Sequence, residues 1–303
     1  MDQYALLSSA SSGVLVGLGV VLTRALTGDL GPASLALFRY AIAIWFILPW
    51  FWHRGRPSIR RTDLAPLALV GIGQFAVLTT LLNLSLEFIS AGTAALLFAL
   101  FPALALLIAA RVYRERIDPA LIIGLALTLL GVGVIVGGSA SLSRISMNEV
   151  LGDSAALSSA LVGAFCSVLV RPFLRRSNVQ SVGWFTMLCA LPVLTILGVS
   201  EGGLSAASRI SEVSWTLVLL LGVSSGVGYI LWLWALHHAS ATRVAQFLAL
   251  SPLTAGVLGA MFLGEPLGPP FIIALGFVVA GLLISHNFRP GKGGFGHGTT
   301  ARG

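Results

Sequence analysis

Hydrophobic positions along this chain fall into ten long, nearly unbroken runs separated by short polar segments. About 20 helical residues, each rising 1.5 Å, cross a hydrocarbon core of about 30 Å. Strands of a membrane barrel would instead alternate polar and apolar positions, which these runs do not. The pattern predicts an all-α membrane protein with ten transmembrane helices. The predicted spans are Leu6–Leu26, Ala33–Trp52, Leu64–Leu84, Ala91–Val112, Pro119–Val136, Gly152–Val170, Ser181–Ser200, Val213–Leu236, Thr242–Leu263 and Pro269–Ile284.

The chain also contains an internal repeat. The stretch from Ser90 to Glu115 returns 150 positions later as the stretch from Ser240 to Glu265. The positions identical in both copies are Ser90, Ala91, Ala95, Ala99, Leu100, Pro102, Ala105, Ala110 and Glu115. A duplication is the simplest explanation, and a repeat of this size governs the whole architecture.

Basic residues between the runs predict the orientation. Loops after spans 2, 4 and 6 are rich in arginine, and by alternation they share one side with both termini. Cytoplasmic loops carry an excess of Lys and Arg. The protein is therefore expected in the cytoplasmic (inner) membrane, with both termini in the cytoplasm. Five spans per half then place the second half upside down relative to the first, an inverted five-plus-five repeat.

This arrangement predicts the domain limits. Residues 1–140 form the first repeat, residues 141–287 form the second, inverted repeat, and the Gly-rich residues 288–303 form a disordered cytoplasmic tail. Inverted repeats of this kind place a substrate site near the bilayer midplane, between halves that rock to expose alternate sides.

Composition narrows the class further. The chain is 56% hydrophobic and 10% charged, whereas a soluble domain carries about 25% charged residues. Its net charge of +7 resides in loops, so it indicates membrane topology and not nucleic-acid binding. Cys166 and Cys189 lie inside apolar runs without a Cys/His cluster, so no metal or cofactor is expected.

The repeat carries a resemblance to a known family. Ten spans in two inverted halves, with LLFALFPALALLIAARVYRERI in one half, FLALSPLTAGVLGAMFLGEPL in the other and LFRYAIA in span 2, resemble the EamA family of the drug/metabolite transporter superfamily. The resemblance implies a small-molecule exporter, and exporters of amino acids of the YddG type are the natural comparison. Many members carry a Trp–Gly pair in span 1. Here Val16 precedes Gly17, so a contact made by that Trp does not carry over.

Two prolines occupy equivalent places in the two halves. Pro102 and Pro252 lie mid-span, where proline removes a backbone donor and frees a carbonyl at membrane depth. We predict that they are hinges beside the transport pathway, the alternative being tolerated kinks in packed helices.

Polar and aromatic residues inside the spans are the candidate substrate contacts, because polar groups at this depth face a bundle interior or a wet cavity. Gln246 is the leading candidate, since the first repeat has Leu96 in its place; it could also simply join two helices. Tyr229 and Trp232 lie on one helix face and could stack on a flat substrate, or belong to an interfacial belt. The full predicted set is Gln246, Tyr229, Trp232, Ser225, Thr79, Asn83 and Ser251.

Charged residues are assigned structural roles. Arg39 lies inside span 2 and is expected to snorkel or to find a partner; a structural anchor is favoured over a carboxylate-binding role. Glu115 and Glu265 close the repeats at the membrane edges and are expected to cap helices or fix loops. Because all Asp and Glu lie in loops or at span ends, we expect no proton coupling through a buried carboxylate.

The predicted function is therefore a carrier, an exporter of small amphipathic metabolites, most of all amino acids including aromatic or large apolar ones. Its partners are the lipid bilayer and the substrate, and it works as a monomer, with a dimer as an alternative. Two other classes have a sequence pattern behind them. Gly222–Gly226 matches G-x-S-x-G, a motif of serine hydrolases, and Gly226–Tyr229 resembles part of a potassium-channel filter. Both patterns lie inside a helical span, which argues against a hydrolase and a channel.

Overall fold

The fold is helical throughout the part of the chain that the structure describes. The structure is a computed structural model and describes residues 3–52, 59–113, 119–139, 146–238, 247 and 250–286. Within these ranges helices are joined by short turns, and no β-strand occurs. The prediction of an all-α protein is confirmed.

The described helices are numbered in chain order. Those of the first half are α1 (Gln3–Leu26), α2 (Pro32–Trp52), α3 (Leu64–Gly71), α4 (Leu78–Phe88), α5 (Ala91–Phe98), α6 (Phe101–Tyr113) and α7 (Pro119–Ser139). Those of the second half are α8 (Met147–Leu169), α9 (Arg171–Arg176), α10 (Val179–Ser200), α11 (Gly203–Ala207), α12 (Glu212–His238), α13 (Leu250–Leu263) and α14 (Pro269–His286). A π-helical segment, Ile72–Val77, joins α3 to α4 without interrupting the helix.

Several of these helices are long and apolar enough to cross a membrane. Six candidate spans satisfy both criteria: Leu6–Leu26, Arg61–Phe88, Ala91–Tyr113, Met147–Arg176, Val179–Ser200 and Glu212–Ala235. Shorter apolar helices cover Pro32–Phe46, Ile122–Val134, Leu250–Leu263 and Pro269–Gly281. Large apolar side chains remain exposed on many helices. Such a surface suits lipid, because a helix satisfies its own backbone polar groups.

Contacts between helix termini define one end of the bundle, which we call the Glu265 end. The end of α1 and the start of α5 meet there, because Arg24 pairs with Glu265 and the Ala91 N–H donates to the same carboxylate. The end of α10 lies at this end as well, since the Glu201 carboxylate accepts from the N–H groups of Ala33 and Ser34 at the start of α2. At the opposite end, the Tyr113 hydroxyl of α6 donates to the carbonyl of Val168 in α8 over 3.0 Å.

Helix packing follows a regular scheme. The first helix of the first half, α1, packs on α12 and α13, while the first helix of the second half, α8, packs on α4 and on the pair α5 and α6. Two further pairs, α2 with α10 and α7 with α14, join the halves directly. Among the described helices the two halves therefore interlock.

Candidate functional site

The predicted span Ala91–Val112 is not one continuous helix. Helix α5 ends at Phe98 and α6 begins at Phe101, with a turn at Ala99 and Leu100. Pro102 has no N–H to donate to the Phe98 carbonyl, and its ring clashes with that turn of an α-helix. Proline is well tolerated in the first turn of a helix, and Pro102 occupies the first turn of α6. The proline therefore marks a break in the span, a stronger disturbance than the predicted kink.

The break faces a small cavity, which we call the proline cavity. Pro252, in the first turn of α13, lines the same cavity as Pro102, and Val16 of α1 forms a third wall. The complete lining is Val16, Ala95, Phe98, Ala99, Phe101, Pro102, Ser251 and Pro252. Its volume of about 10 Å³ is barely enough for one water molecule. The prolines of the two repeats thus meet in one place, and the space between them is closed.

Two glycine-mediated contacts bring helices close to this cavity. A Cβ atom at Gly13 or Gly17 of α1 would collide with the backbone carbonyls of Phe247 and Ser251. In the other half, a Cβ atom at Gly163 of α8 would collide with the ring of Phe101. Small residues allow this close helix approach in membranes. The Gly13–Gly17 pair therefore packs within the chain, against α13 and against Phe247 just before it.

Ser225 and Arg39 contact each other. The Arg39 Nε atom of α2 donates to the Ser225 hydroxyl of α12 over 2.7 Å. The same hydroxyl donates to the Leu221 carbonyl at 2.6 Å. The neighbouring Ser224 also bonds to the Leu221 carbonyl, at 2.9 Å. The serine pair of the G-x-S-x-G pattern is thus hydrogen-bonded to its own helix and to an arginine.

Thr79 and Tyr229 lie in a packed aromatic cluster. The Thr79 and Tyr40 hydroxyls form a buried 2.8 Å hydrogen bond. Phe75 packs edge-on against Tyr40 at 5.2 Å and against Tyr229 at 5.8 Å between ring centroids. The Tyr229 hydroxyl lies so close to Gly183 of α10 that a Cβ atom there would collide with it. In this arrangement both predicted contacts support packing among four helices.

The remaining predicted substrate contacts are dispersed. Asn83 lies at the Glu265 end, where its amide nitrogen donates to the Pro32 carbonyl at 2.9 Å and its Oδ1 atom is buried without a partner among the described residues. Trp232 is partly buried on α12. Ser251 is buried in the lining of the proline cavity. Gln246 lies outside the described residues, and its role in substrate binding stays a prediction.

Glu265 is the centre of a polar cluster that the sequence alone did not assemble. Its Oε1 atom pairs with the Nε atom of Arg24 at 3.1 Å, and the side chains are 12% and 29% exposed. Its Oε2 atom accepts from the Ala91 N–H at 2.9 Å, which caps the start of α5. Arg24 also donates to the carbonyl of Leu86 at the end of α4. Glu115, the matching residue of the first repeat, lies outside the described residues.

Sequence reasoning missed three features of this region. Val16 was noted only for a missing Trp, and Phe98 was not considered, yet both line the cavity. Arg24 had a signal, since it matches Arg171 in the second half when the repeat is shifted by three positions, from an offset of 150 to 147. The π-helical segment beside Phe75 has no sequence signature of its own, although such segments are common at functional sites.

Long apolar helices and apolar exposed surfaces indicate a multi-pass membrane protein. A family model described as "EamA-like transporter family" matches residues 3–137 and again residues 150–286. The chain belongs to this family, and it is a membrane transporter, not an enzyme.

Relatives with sequence similarity point the same way. An "Uncharacterized transporter" of Archaeoglobus fulgidus is 27% identical over 84% of this chain and 88% of its own length. A "Probable amino-acid metabolite efflux pump" of Salmonella typhimurium is 26% identical, covering 90% of this chain and 91% of its own. A "Probable terminal-alkyne amino-acid exporter" of Streptantibioticus cattleyicolor is 27% identical over 86% of both chains.

A solved crystal structure extends the comparison to the fold. It matches with a TM-score of 0.62 at 20% sequence identity, and the match covers 94% of this chain and 97% of that chain. At this identity the similarity concerns the fold alone.

Proposed function

We propose that this protein exports small amphipathic metabolites, amino acids including aromatic or large apolar ones above all, by alternating access. The observation that carries this proposal is the proline cavity, where Pro102 and Pro252 line one space between the two halves. Discontinuous helices at the midplane are the usual setting of a carrier's substrate site. Two relatives named for the export of amino acids or their metabolites favour this substrate class.

The alternating-access mechanism rests on an inverted five-plus-five repeat of ten transmembrane helices. The segment α5–α6 begins at the Glu265 end, whereas α13, the repeat partner of α6, finishes beside Glu265. The packing of α1 on α12 and α13 exchanges, under the repeat, with the packing of α8 on α4 to α6. Both observations support two halves that are related by an approximate two-fold axis in the membrane plane.

The arginine-rich loops orient this arrangement. By the positive-inside rule they favour both termini in the cytoplasm and the Glu265 end at the outer face of the cytoplasmic membrane. The repeats occupy residues 1–140 and 141–287, followed by a tail at 288–303. In this state the Glu265 end is tied by charged hydrogen bonds and the proline cavity is closed.

Substrate must enter a cavity that opens further than the present one. Ser251 provides a hydroxyl in the lining, and Gln246 is the predicted second polar contact. Thr79, Tyr229 and Asn83 influence the cavity through helix packing. The prolines act as hinges, because a proline has no N–H to donate to the carbonyl four residues before it.

The test is a panel of labelled amino acids and other small metabolites in proteoliposomes that contain the purified protein. We expect saturable counterflow of amino acids with large apolar side chains, reduced in Gln246→Ala. Gln74→Ala is the matched control, because Gln74 is a span glutamine that the structure describes and that does not line the proline cavity. Failure to transport any amino acid would overturn the proposed function, whereas unchanged transport in Gln246→Ala would remove only that residue from the site.

A further inference from the structure

Arg39 lies among buried residues of α2 but is itself partly exposed, which a purely structural anchor would not require. It is the eighth residue of α2, which places it about 10 Å along the helix from Pro32. One helical turn away on the same face are Leu35, Ala36 and Ala43, which are 1%, 0% and 0% exposed. Arg39 thus remains partly exposed although its neighbours Leu35, Ala36 and Ala43 are buried.

Most hydrogen-bonding capacity of Arg39 is unused within the described part of the chain. A guanidinium carries five N–H donors, and the hydrogen bond that the structure assigns to it uses only Nε, towards Ser225. The Tyr40 ring lies under the guanidinium at 5.6 Å. The ion pair seen among the described residues belongs to Arg24 and Glu265, so no described carboxylate neutralises Arg39. A charge on a partly buried arginine inside a membrane span calls for an anionic partner.

The free end of the guanidinium points towards the helix that lines the proline cavity. An Nη atom of Arg39 lies 3.4 Å from the place where a Cβ atom on Gly19 of α1 would be. Val16, one of the cavity-lining residues, precedes Gly19 by three positions, so the two lie on neighbouring parts of one helix face. Ser225 holds Nε from the α12 side, and one Nη group lies beside Gly19 of α1.

We propose that Arg39 binds the carboxylate of the transported amino acid, through the bidentate geometry that a guanidinium offers to a carboxylate. Ser225 and Tyr40 orient the guanidinium, and Gly19 leaves room beside it. The apolar lining of the proline cavity then receives the substrate side chain about one helical turn away. This inference rests on the proposed export of amino acids, and it names the residue that distinguishes an amino acid from an amine.

The test compares phenylalanine and leucine with their C-terminal amides, which retain the amine and side chain but lack the carboxylate. Uptake of each compound is measured in proteoliposomes that contain the wild-type chain, Arg39→Gln, Arg39→Lys or Arg209→Gln. Arg209 is an exposed arginine outside the helices and serves as the matched control. Loss of a charge-assisted hydrogen bond predicts that the KM for the amino acids rises about 10- to 100-fold in Arg39→Gln.

The KM for the amides should stay unchanged in Arg39→Gln, and that unchanged transport also demonstrates a folded protein. Arg39→Lys keeps the charge but loses the bidentate geometry of the guanidinium, so an intermediate KM for the amino acids is expected. An equal loss for acids and amides in both variants would show a structural anchor and overturn the inference. If wild type transports amino acids and amides alike, and Arg39→Gln changes neither, the inference also fails while the proposed exporter stands. If wild type transports neither amino acid, the proposed function fails and this inference fails with it.

Discussion

The Glu265 end and the proline cavity are stabilised in opposite ways. At the Glu265 end, one carboxylate joins α1 to α5, and Arg24 extends the connection to α4. At the proline cavity, α5 and α6 are separated by a turn, and the lining is almost entirely apolar. Hydrogen bonds and an ion pair, which have defined directions, hold the Glu265 end, whereas non-directional apolar contacts close the proline cavity.

This difference indicates where the molecule can move. Charge-assisted hydrogen bonds fix distance and angle, so a helix end that is capped in this way moves as a unit with its partner. Apolar surfaces can slide or separate with smaller directional losses, and a broken helix has already given up backbone hydrogen bonds at the break. Motion is therefore expected to concentrate at the proline cavity while the Glu265 end either stays joined or separates in one step.

The largest expected effect comes from removing the Glu265 carboxylate. Glu265→Ala leaves Arg24 without its ion pair and the Ala91 N–H without its acceptor. The free energy of unfolding in detergent should fall by about 2 to 4 kcal/mol, less than for a fully buried pair because Arg24 is 29% exposed. Glu265→Gln should lose less, since its amide oxygen still accepts from Ala91.

The matched control is Glu212→Gln, an exposed carboxylate at the start of α12. Its stability should change little, because surface charges near a helix start contribute less than about 1 kcal/mol. Equal losses of unfolding free energy in Glu265→Ala and Glu212→Gln would contradict the view that specific hydrogen bonds and an ion pair hold the Glu265 end.

A smaller loss is expected from Gly17→Ala, which tests the apolar seam between α1 and α13. The added Cβ atom would collide with the Ser251 carbonyl and the Thr254 side chain. Overpacking of this kind costs about 1 to 3 kcal/mol, measured as the change in unfolding free energy in detergent.

Gly133→Ala controls for the helix propensity of alanine, because a Cβ atom on Gly133 of α7 meets no atom within 4 Å. That variant should be as stable as wild type or slightly more stable, by up to about 1 kcal/mol. If Gly17→Ala has the same unfolding free energy as Gly133→Ala, the close approach of α1 to α13 is not needed for stability.

Much of the fold was predictable from the sequence because hydrophobic runs report directly on membrane spans. Helix α1 contains the predicted span Leu6–Leu26 in full. The family membership and the transporter class followed from the repeated proline segment and are confirmed by the double match of the family model. Local sequence thus determines which segments are helices and which family they belong to.

The site was less predictable because it depends on contacts between distant positions. Ser225 was selected as a polar residue, but its partner Arg39 lies 186 positions away. Thr79 and Tyr229 were also selected by polarity, and their packing around Phe75 depends on how four helices meet. Ser251 and both prolines do line one cavity. Their substrate-binding and hinge roles remain predictions.

The smallest expected change in stability, and the sharpest test of the comparison, comes from Pro102→Ala. Alanine can donate its N–H to the Phe98 carbonyl, which favours one continuous helix through Ala99 and Leu100. The unfolding free energy should stay unchanged or rise, while the transport rate falls about tenfold, equivalent to about 1.4 kcal/mol of added barrier. Pro192→Ala is the control, because Pro192 lies on the exposed side of an uninterrupted α10, away from the cavity lining. Transport that slows equally in both variants, or in neither, would contradict a hinge at Pro102. Of these two prolines, Pro102 lies at a helix break beside the cavity and Pro192 does not.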